Sequence, residues 1–306
     1  MLIFALPEGG GVVLTYNSKQ MKTIIYTIIA IFICGLIATG FTGKPFTKQT
    51  ILLQCTNSHL SAAELAKSAD IITMRLKSFS TDKFEIKTFP EKQQIAVILT
   101  KTRELEITEK LITQKGFMEL YETYDPLSFS ELMNGDNTLT NLFHEKTPRN
   151  SSAMIGCTSV AEMTRIDQYL QTSRLNVKCR FAWDNLFADS DVCLYALRTG
   201  EGNRIHLTGT DIESFESKKA TKWQKGSIAF KFKKSAIQTW ADVTKRNLNK
   251  AVAILLDNKV IFAPFVTSEI NGGDCEISGD FTQSQVRYIV AIGNCGVLPA
   301  DFSVVK

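Results

Sequence analysis

The stretch that decides the fold is residues 251–299, which read AVAILLDNKVIFAPFVTSEINGGDCEISGDFTQSQVRYIVAIGNCGVLP. Two apolar runs, 251–256 and 260–266, flank the polar residues 257–259, a pattern that predicts two strands joined by a tight turn. Further along, residues 282–285 have capping-box spacing before a run with helical periodicity. The stretch therefore predicts a β-hairpin, a glycine-rich turn and a helix.

Composition limits the classes of function. The chain has 306 residues, of which 44% are hydrophobic and 22% charged, as in an ordinary globular protein. Its net charge of +4 is too small to indicate nucleic-acid binding. The sequence shows no motif for a catalytic or metal site: its three histidines are far apart, and it has no CxxC pair and no glycine-rich phosphate loop. We therefore expect no catalytic, cofactor-binding or metal-binding residues, no small-molecule substrate and no enzyme activity.

The N-terminal region predicts export. Residues 1–22 have no organised pattern, and both Met1 and Met21 remain possible starts. Residues 23–41 carry no charge, and about 20 apolar residues span a bilayer. This segment fits a transmembrane anchor, a cleaved signal peptide with a small-residue site at 38–40, or a lipoprotein signal around Cys34. Each alternative places the remaining chain outside the cytoplasm.

Three further segments follow in the chain. Residues 50–125 alternate in the order β-α-β-β-α-β, which is the ferredoxin-like pattern. Residues 126–204 are the least regular, and we interpret them as an insertion or linker with at least one helix and a short strand. Residues 205–306 can be read as a second β-α-β-β-α-β unit.

Several strings in this chain resemble one protein family. They are LTGTDI at 207–212, AILLDNKVIFAP at 253–264, GGDCEISGDFT at 272–282 and GVLPA at 296–300. The strings resemble the first periplasmic domain, base and head, of SecD/SecDF, a preprotein translocase subunit. Asn258 departs from the family pattern, which has glycine there. The motif positions carried over from the family are Asp257, Ala263, Pro264, Gly272, Gly273, Ser278, Gly279, Leu298 and Pro299.

The resemblance implies a fold and a function. The implied fold is α+β, with ferredoxin-like units and an irregular insertion behind one N-terminal transmembrane helix; 50–125 are the base and 205–306 the head. The implied function is assistance to Sec-dependent protein translocation. The implied partners are the Sec translocon, unfolded secretory polypeptides and the bacterial cytoplasmic membrane, with most of the chain on the periplasmic face.

Two features leave the function open. In the family the GVLPA string leads into further transmembrane helices, whereas six residues follow it here, so we expect the proton-driven motor to be missing. The alternative is a SecD-derived envelope module that binds an unrelated protein and has no role in translocation.

The apolar residues Phe262, Phe265 and Val266 are the candidates for contact with polypeptide. If exposed, they would form a shallow surface on which an extended chain adds to a strand edge through sequence-independent backbone hydrogen bonds. The alternative is ordinary core packing.

Six cysteines lie in the part that we expect to be exported. An oxidising compartment permits disulfides. The pairs that we consider are Cys157 or Cys179 with Cys193, and Cys275 with Cys295; the alternative is buried free thiols.

Overall fold

The computed structural model describes residues 48–305 apart from short gaps at 57–58, 82, 101–103, 145–152, 174, 189, 201–204, 206, 219–225 and 280. The predicted leader at 1–22 and the predicted membrane segment at 23–41 lie outside the described residues. Within the described part, no helix is long and apolar enough to cross a membrane.

The described residues form a mixed α/β structure of small antiparallel sheets. The strands are β1 (Gln49–Cys55), β2 (Phe84–Phe89), β3 (Gln94–Leu99), β4 (Met118–Glu122), β5 (Met154–Ser159), β6 (Arg180–Trp183), β7 (Asp191–Leu197), β8 (Ile212–Lys218), β9 (Ser227–Phe232), β10 (Val252–Leu256), β11 (Lys259–Phe262), β12 (Asp274–Ser278) and β13 (Phe302–Val304). The helices are α1 (Ala62–Ser78), α2 (Leu105–Thr113), α3 (Pro126–Leu132), α4 (Met163–Thr172), α5 (Ile237–Arg246) and α6 (Gln283–Cys295).

The first sheet differs from the predicted ferredoxin-like unit in one strand. Its order is β13-β1-β3-β2 and all its pairs are antiparallel. The last strand of the chain, β13, thus occupies the edge beside β1 where the fourth strand of a β-α-β-β-α-β unit would lie. β4 pairs instead with β10. The choice between β4 and β13 as the partner of β1 depends on tertiary packing, which local pattern does not encode.

The hairpin of β10 and β11 lies between two apolar cores of the described part of the chain. Asp257 and Asn258 both have positive φ, 46° and 70°, as a two-residue hairpin turn with right-handed strand twist requires. Alternate residues of β10 face two different cores. Val252, Ile254 and Leu256 pack in the largest core, and the intervening residues pack against the insertion.

The second predicted β-α-β-β-α-β unit is not formed. Its strands belong to three different sheets: β9 lies between β12 and β8, β10 lies between β11 and β4, and β13 pairs with β1. The largest core contains residues of both the predicted base and the predicted head, from Ile51 to Phe302.

The segment 126–204 is more regular than we expected. It contains helices α3 and α4 and a sheet of order β5-β7-β6, with a core of its own around Phe129, Ile166 and Leu194. Its sheet faces the hairpin across a third apolar cluster.

A disulfide joins Cys157 of β5 to Cys193 of β7, which lie opposite each other in the register. The alternative Cys179–Cys193 pair is excluded because Arg180 pairs with Leu197, which places Cys179 at the far end of the sheet from Cys193. Cys275 and Cys295 are free, so the second pair that we considered does not form.

Candidate functional site

An apolar groove of about 480 Å³ lies between α1, the end of α6 and the start of β4. Two large apolar side chains in its lining are exposed, Met74 by 46% and Phe117 by 42%. A concave site that keeps such side chains in water is unusual for a surface without a partner. Four glycines also line the groove, namely Gly116, Gly209, Gly293 and Gly296.

Two of these glycines are required by close packing. Gly116 has φ of +95°, and a Cβ there would lie 2.4 Å from Nη2 of Arg75. A Cβ on Gly293 would lie 2.4 Å from the ring of Phe215. The shape of the groove therefore depends on the absence of side chains at these positions.

Arg75 lies behind the groove and is fully buried. Its guanidinium donates to the carbonyl oxygens of Leu111 (3.2 Å), Gln114, Lys115 (2.9 Å) and Gly296 (2.7 Å). The first three of these acceptors lie at the C-terminal end of α2, and the fourth follows α6. One arginine thus binds carbonyls at or just after the ends of two helices and places a positive charge at the negative ends of both helix dipoles.

Burial lowers the pKa of Arg75 to about 10, so the side chain still carries its charge at neutral pH. Nε of Arg75 and the hydroxyl of Tyr288 are buried without a hydrogen-bond partner in the described part of the chain. Burial also raises the pKa of Tyr288. We did not identify Arg75 from the sequence. The available signal was its spacing, because Ser68, Ile72 and Arg75 follow one helical face that is otherwise apolar.

Asp257 binds the same segment, residues 114–117, that Arg75 contacts. Its carboxylate accepts hydrogen bonds from the backbone N–H of Gly116 (2.9 Å) and of Phe117 (2.7 Å), and from Nε2 of Gln114 (2.6 Å). Arg75 binds the carbonyls of this segment while Asp257 binds its N–H groups. The start of β4, which carries Phe117 into the groove, is therefore rigidly positioned.

The structure separates the three residues predicted to contact polypeptide. Phe265 is 48% exposed. Phe262 is buried and packs edge-on against Phe281, with 6.0 Å between ring centroids. Val266 is also buried, and its N–H donates to the carbonyl of Lys250 at 2.9 Å. The expectation of an exposed apolar stripe is wrong for Phe262 and Val266, because Phe262 at the end of β11 and Val266 in the following segment both pack in the largest core.

Comparison with known proteins agrees with this geometry. Residues 195–300 match the family model described as "SecDF, P1 head subdomain". Residues 195–300 are thus a SecDF P1 head-like region. It is 34% identical over 108 residues to the protein translocase subunit SecD of Acidaminococcus fermentans, a match that covers 35% of this chain and 25% of that protein. It is 35% identical over 80 residues to SecD of Leptotrichia buccalis, covering 26% and 20%.

The likeness to SecDF extends to the fold beyond residues 195–300. A crystal structure of SecDF in the super-membrane-facing form is similar with a TM-score of 0.53 and 17% identity, over 95% of this chain and 35% of that one. The matches to curated SecD proteins span a quarter or less of their length.

The SecD motif positions around the hairpin are mostly structural. Ala263 packs against the cluster between the hairpin and the insertion. The carbonyl of Pro264 accepts from the N–H of Val252 at 3.1 Å. Gly273 has φ of +76°, and a Cβ there would lie 2.9 Å from Ile237. Gly272 is exposed and has no such crowding.

The remaining SecD motif positions lie at β12 and beside the groove. Ser278 ends β12 opposite Ser227, and a Cβ on Gly279 would lie 2.9 Å from the ring of Phe281. Leu298 is buried, and its N–H donates to the carbonyl of Lys115 at 2.8 Å. Pro299 follows it and is half-buried. The GVLPA string at 296–300 thus packs beside the segment 114–117 that Arg75 and Asp257 bind.

Proposed function

We propose that this chain is an exported, membrane-tethered SecD-like domain that assists Sec-dependent protein translocation by contacting emerging polypeptide or the translocon. The match of residues 195–300 to the SecDF P1 head supports the role in translocation, since the relatives are named protein translocase subunits. The tether is the uncharged segment 23–41, and this part of the proposal rests on sequence.

The observation that carries the proposal is the apolar groove with Met74 and Phe117 exposed in its lining. An unfolded secretory chain presents apolar side chains in no fixed order. Methionine is unbranched and flexible, so a groove lined by it adapts to side chains of different shape. Such a groove suits weak, sequence-tolerant contact with many polypeptides.

A second surface supports contact with extended chains. β11 lies at the edge of its sheet, with β10 as its strand neighbour in the described residues. Phe265, which follows β11, is exposed. An extended polypeptide that pairs with β11 would gain backbone hydrogen bonds whatever its sequence, and Phe265 would add apolar contact.

The disulfide between Cys157 and Cys193 supports the location on the outer face of the bacterial cytoplasmic membrane. Disulfides persist in oxidising compartments such as the periplasm and are rare in the cytosol.

Site-specific photocrosslinking in intact cells tests the proposal. A photoreactive residue replaces Phe117 in one variant and Phe265 in another. The control replaces Leu127, which is 78% exposed but lies in α3, away from the groove residues. We expect adducts with translocon subunits or partly exported chains from Phe117 and Phe265, in excess over Leu127.

Two other outcomes would change the conclusion. Equal adduct yields from all three positions would mean random collision and would contradict the proposed contact surface. Adducts with one unrelated envelope protein would favour the alternative function, a SecD-derived binding module without a role in translocation.

A further inference from the structure

Residues 124–197 form a module that the chain enters and leaves at one place. Leu186 and Phe187 of the module also pack in the largest core, and the ring of Phe187 lies edge-on to that of Tyr288 at 5.2 Å. The chain enters and leaves the module through paired positions: the N–H of Tyr124 donates to the carbonyl of Ala196 at 2.9 Å, and the N–H of Arg198 donates to the carbonyl of Glu122 at 2.8 Å. Between them Thr123 and Leu197 form an isolated bridge. The module has its own apolar core, so it does not depend on the rest of the domain for its internal packing.

The module packs on the hairpin through a small apolar face, which we call the docking face. The docking face consists of Ala153, Ala182, Tyr195 and Leu197 from the module and Ala251, Ala253, Leu255 and Val260 from the hairpin. Arg180 lies at the edge of the docking face. Its guanidinium pairs with Glu119 of β4 at 3.1 Å and donates to the hydroxyl of Tyr121 and to Oδ1 of Asn258.

Asn258 is the residue that departs from the SecD pattern. A glycine in this turn would provide the positive φ but no side chain for Arg180 to bind. Asparagine at this position therefore supports docking of the module, because its side chain gives Arg180 a hydrogen-bond acceptor.

The Cys157–Cys193 disulfide lies on the side of β7 that faces the hairpin. Val192, Leu194 and Ala196 point into the core of the module, whereas Cys193 and its alternate neighbours pack at the docking face. The N–H of Cys193 donates to Oδ1 of Asp184 at 2.7 Å, and its carbonyl accepts from the N–H of Asp184 at 3.2 Å. Both backbone groups of Cys193 thus point away from β5.

The disulfide therefore joins β5 to β7 at a rung that has no backbone hydrogen bond from Cys193. β5 is an edge strand of its sheet in the described part of the chain. The residues that precede and begin it, Ala153 and Met154, pack at the docking face. Loosening β5 would remove this part of the face and the contribution of Ile155 to the core of the module, while the contributions of α3, α4, β6 and β7 to that core would remain.

We propose that the Cys157–Cys193 disulfide makes docking of the module depend on oxidation. On oxidation the two thiols lose two protons and two electrons and form the S–S bond, and a low-molecular-weight or protein disulfide takes up the electrons and becomes a pair of thiols. In the reduced chain β5 loosens and the hairpin side of the docking face is open to solvent. The inference is independent of the proposed function.

Methyl NMR of the full chain in detergent, with a soluble paramagnetic chelate added, tests the proposal. β10 provides matched reporters on one strand: Ala253 and Leu255 face the module, whereas Val252 and Ile254 face the largest core. We expect reduction with a phosphine to raise the paramagnetic relaxation of Ala253 and Leu255 and to leave Val252 and Ile254 unchanged. Reoxidation with glutathione disulfide should reverse the change.

Two results would overturn the proposal. Unchanged relaxation of all four residues would mean that docking does not need the disulfide, and increased relaxation of all four would mean that reduction unfolds the whole domain. The double variant Cys157→Val/Cys193→Val keeps apolar volume without the bond and is expected to behave as the reduced chain without any reductant. If the relaxation of the Ala253 methyl group stays low in that variant, packing alone and not the disulfide keeps the module docked on the hairpin.

Discussion

The guanidinium of Arg75 donates a hydrogen bond to the carbonyl oxygen of Gly296 at 2.7 Å and so joins positions 221 residues apart. The same side chain binds carbonyls that end α2. Because both helix ends line or support the apolar groove, this contact determines where Phe117 and Val297 lie relative to each other. A polar residue in the interior thus defines an apolar surface.

Arg75→Met should destabilise the domain strongly. The substitution leaves several buried carbonyls without a donor, and each such group costs about 1–3 kcal/mol, so the free energy of unfolding should fall by about 3 kcal/mol or more. Urea denaturation measures the change. The control Lys77→Met alters an exposed residue of the same helix and should change stability by less than about 0.5 kcal/mol. Equal effects of the two variants would contradict the role of Arg75.

Gly116→Ala should cost more than Gly135→Ala. Both glycines have positive φ, +95° and +76°, which an alanine adopts only with strain of about 1–2 kcal/mol. A methyl group added at Gly135 would have no atom within 4 Å, whereas a methyl group at Gly116 would displace Arg75. Overpacking of this kind adds about 1–3 kcal/mol. Thermal or urea unfolding of both variants checks the difference, and equal losses would mean that Arg75 moves freely.

Asp257→Asn should weaken the hydrogen bonds that position residues 114–117. An amide offers one acceptor oxygen instead of two and places an NH₂ group against backbone N–H donors. We expect a loss of about 1–3 kcal/mol in the free energy of unfolding. Asp70→Asn, an exposed change in α1, is the matched control. A loss no larger than that of the control would show that water replaces the carboxylate.

Asp184→Asn should change how stability depends on pH. Burial raises the pKa of Asp184, against the opposing effect of the hydrogen bond from the Cys193 N–H. The folded protein therefore binds the proton more tightly than the unfolded chain does, and the ionised carboxylate costs stability at neutral pH. This cost disappears as the pH falls through the folded pKa towards the ordinary aspartate value.

Denaturation curves at neutral and acidic pH measure this effect. We expect Asp184→Asn to be more stable than the parent at neutral pH, with the difference shrinking on acidification. The exposed Asp191→Asn change serves as the control. A difference that grows on acidification would show that the hydrogen bond outweighs burial.

Phe117→Glu should impair the proposed contact with polypeptide while leaving the fold intact. Phe117 is 42% exposed, so a charge there reaches water but repels apolar side chains from the groove. We expect a photoreactive residue at Val297, which also lines the groove, to give fewer polypeptide adducts in this variant. Leu127→Glu, outside the groove, should leave the yield unchanged. Unchanged yield in both variants would place the contact elsewhere.

The elements predicted from local pattern agree with the structure where their cause is local. The capping box predicted at 282–285 forms at Thr282 and starts the predicted helix. The order β-α-β-β-α-β predicted for residues 50–125 also forms, as β1, α1, β2, β3, α2 and β4. The groove was not predicted, because its lining comes from α1, β4, α6 and the turn at Gly209, which lie far apart in the chain.

Local interactions account for the helix starts, the hairpin turn at Asp257 and the apolar alternation of the strands, since each depends on residues within a few positions of one another. Long-range packing decided that β13 takes the edge beside β1, that Arg75 is buried among carbonyls and that Cys193 pairs with Cys157. The reason is physical: several partners satisfy the same apolar or polar group equally well in isolation. One partner is selected only in the folded chain, where side chains cannot overlap and every buried polar group needs a hydrogen-bond partner.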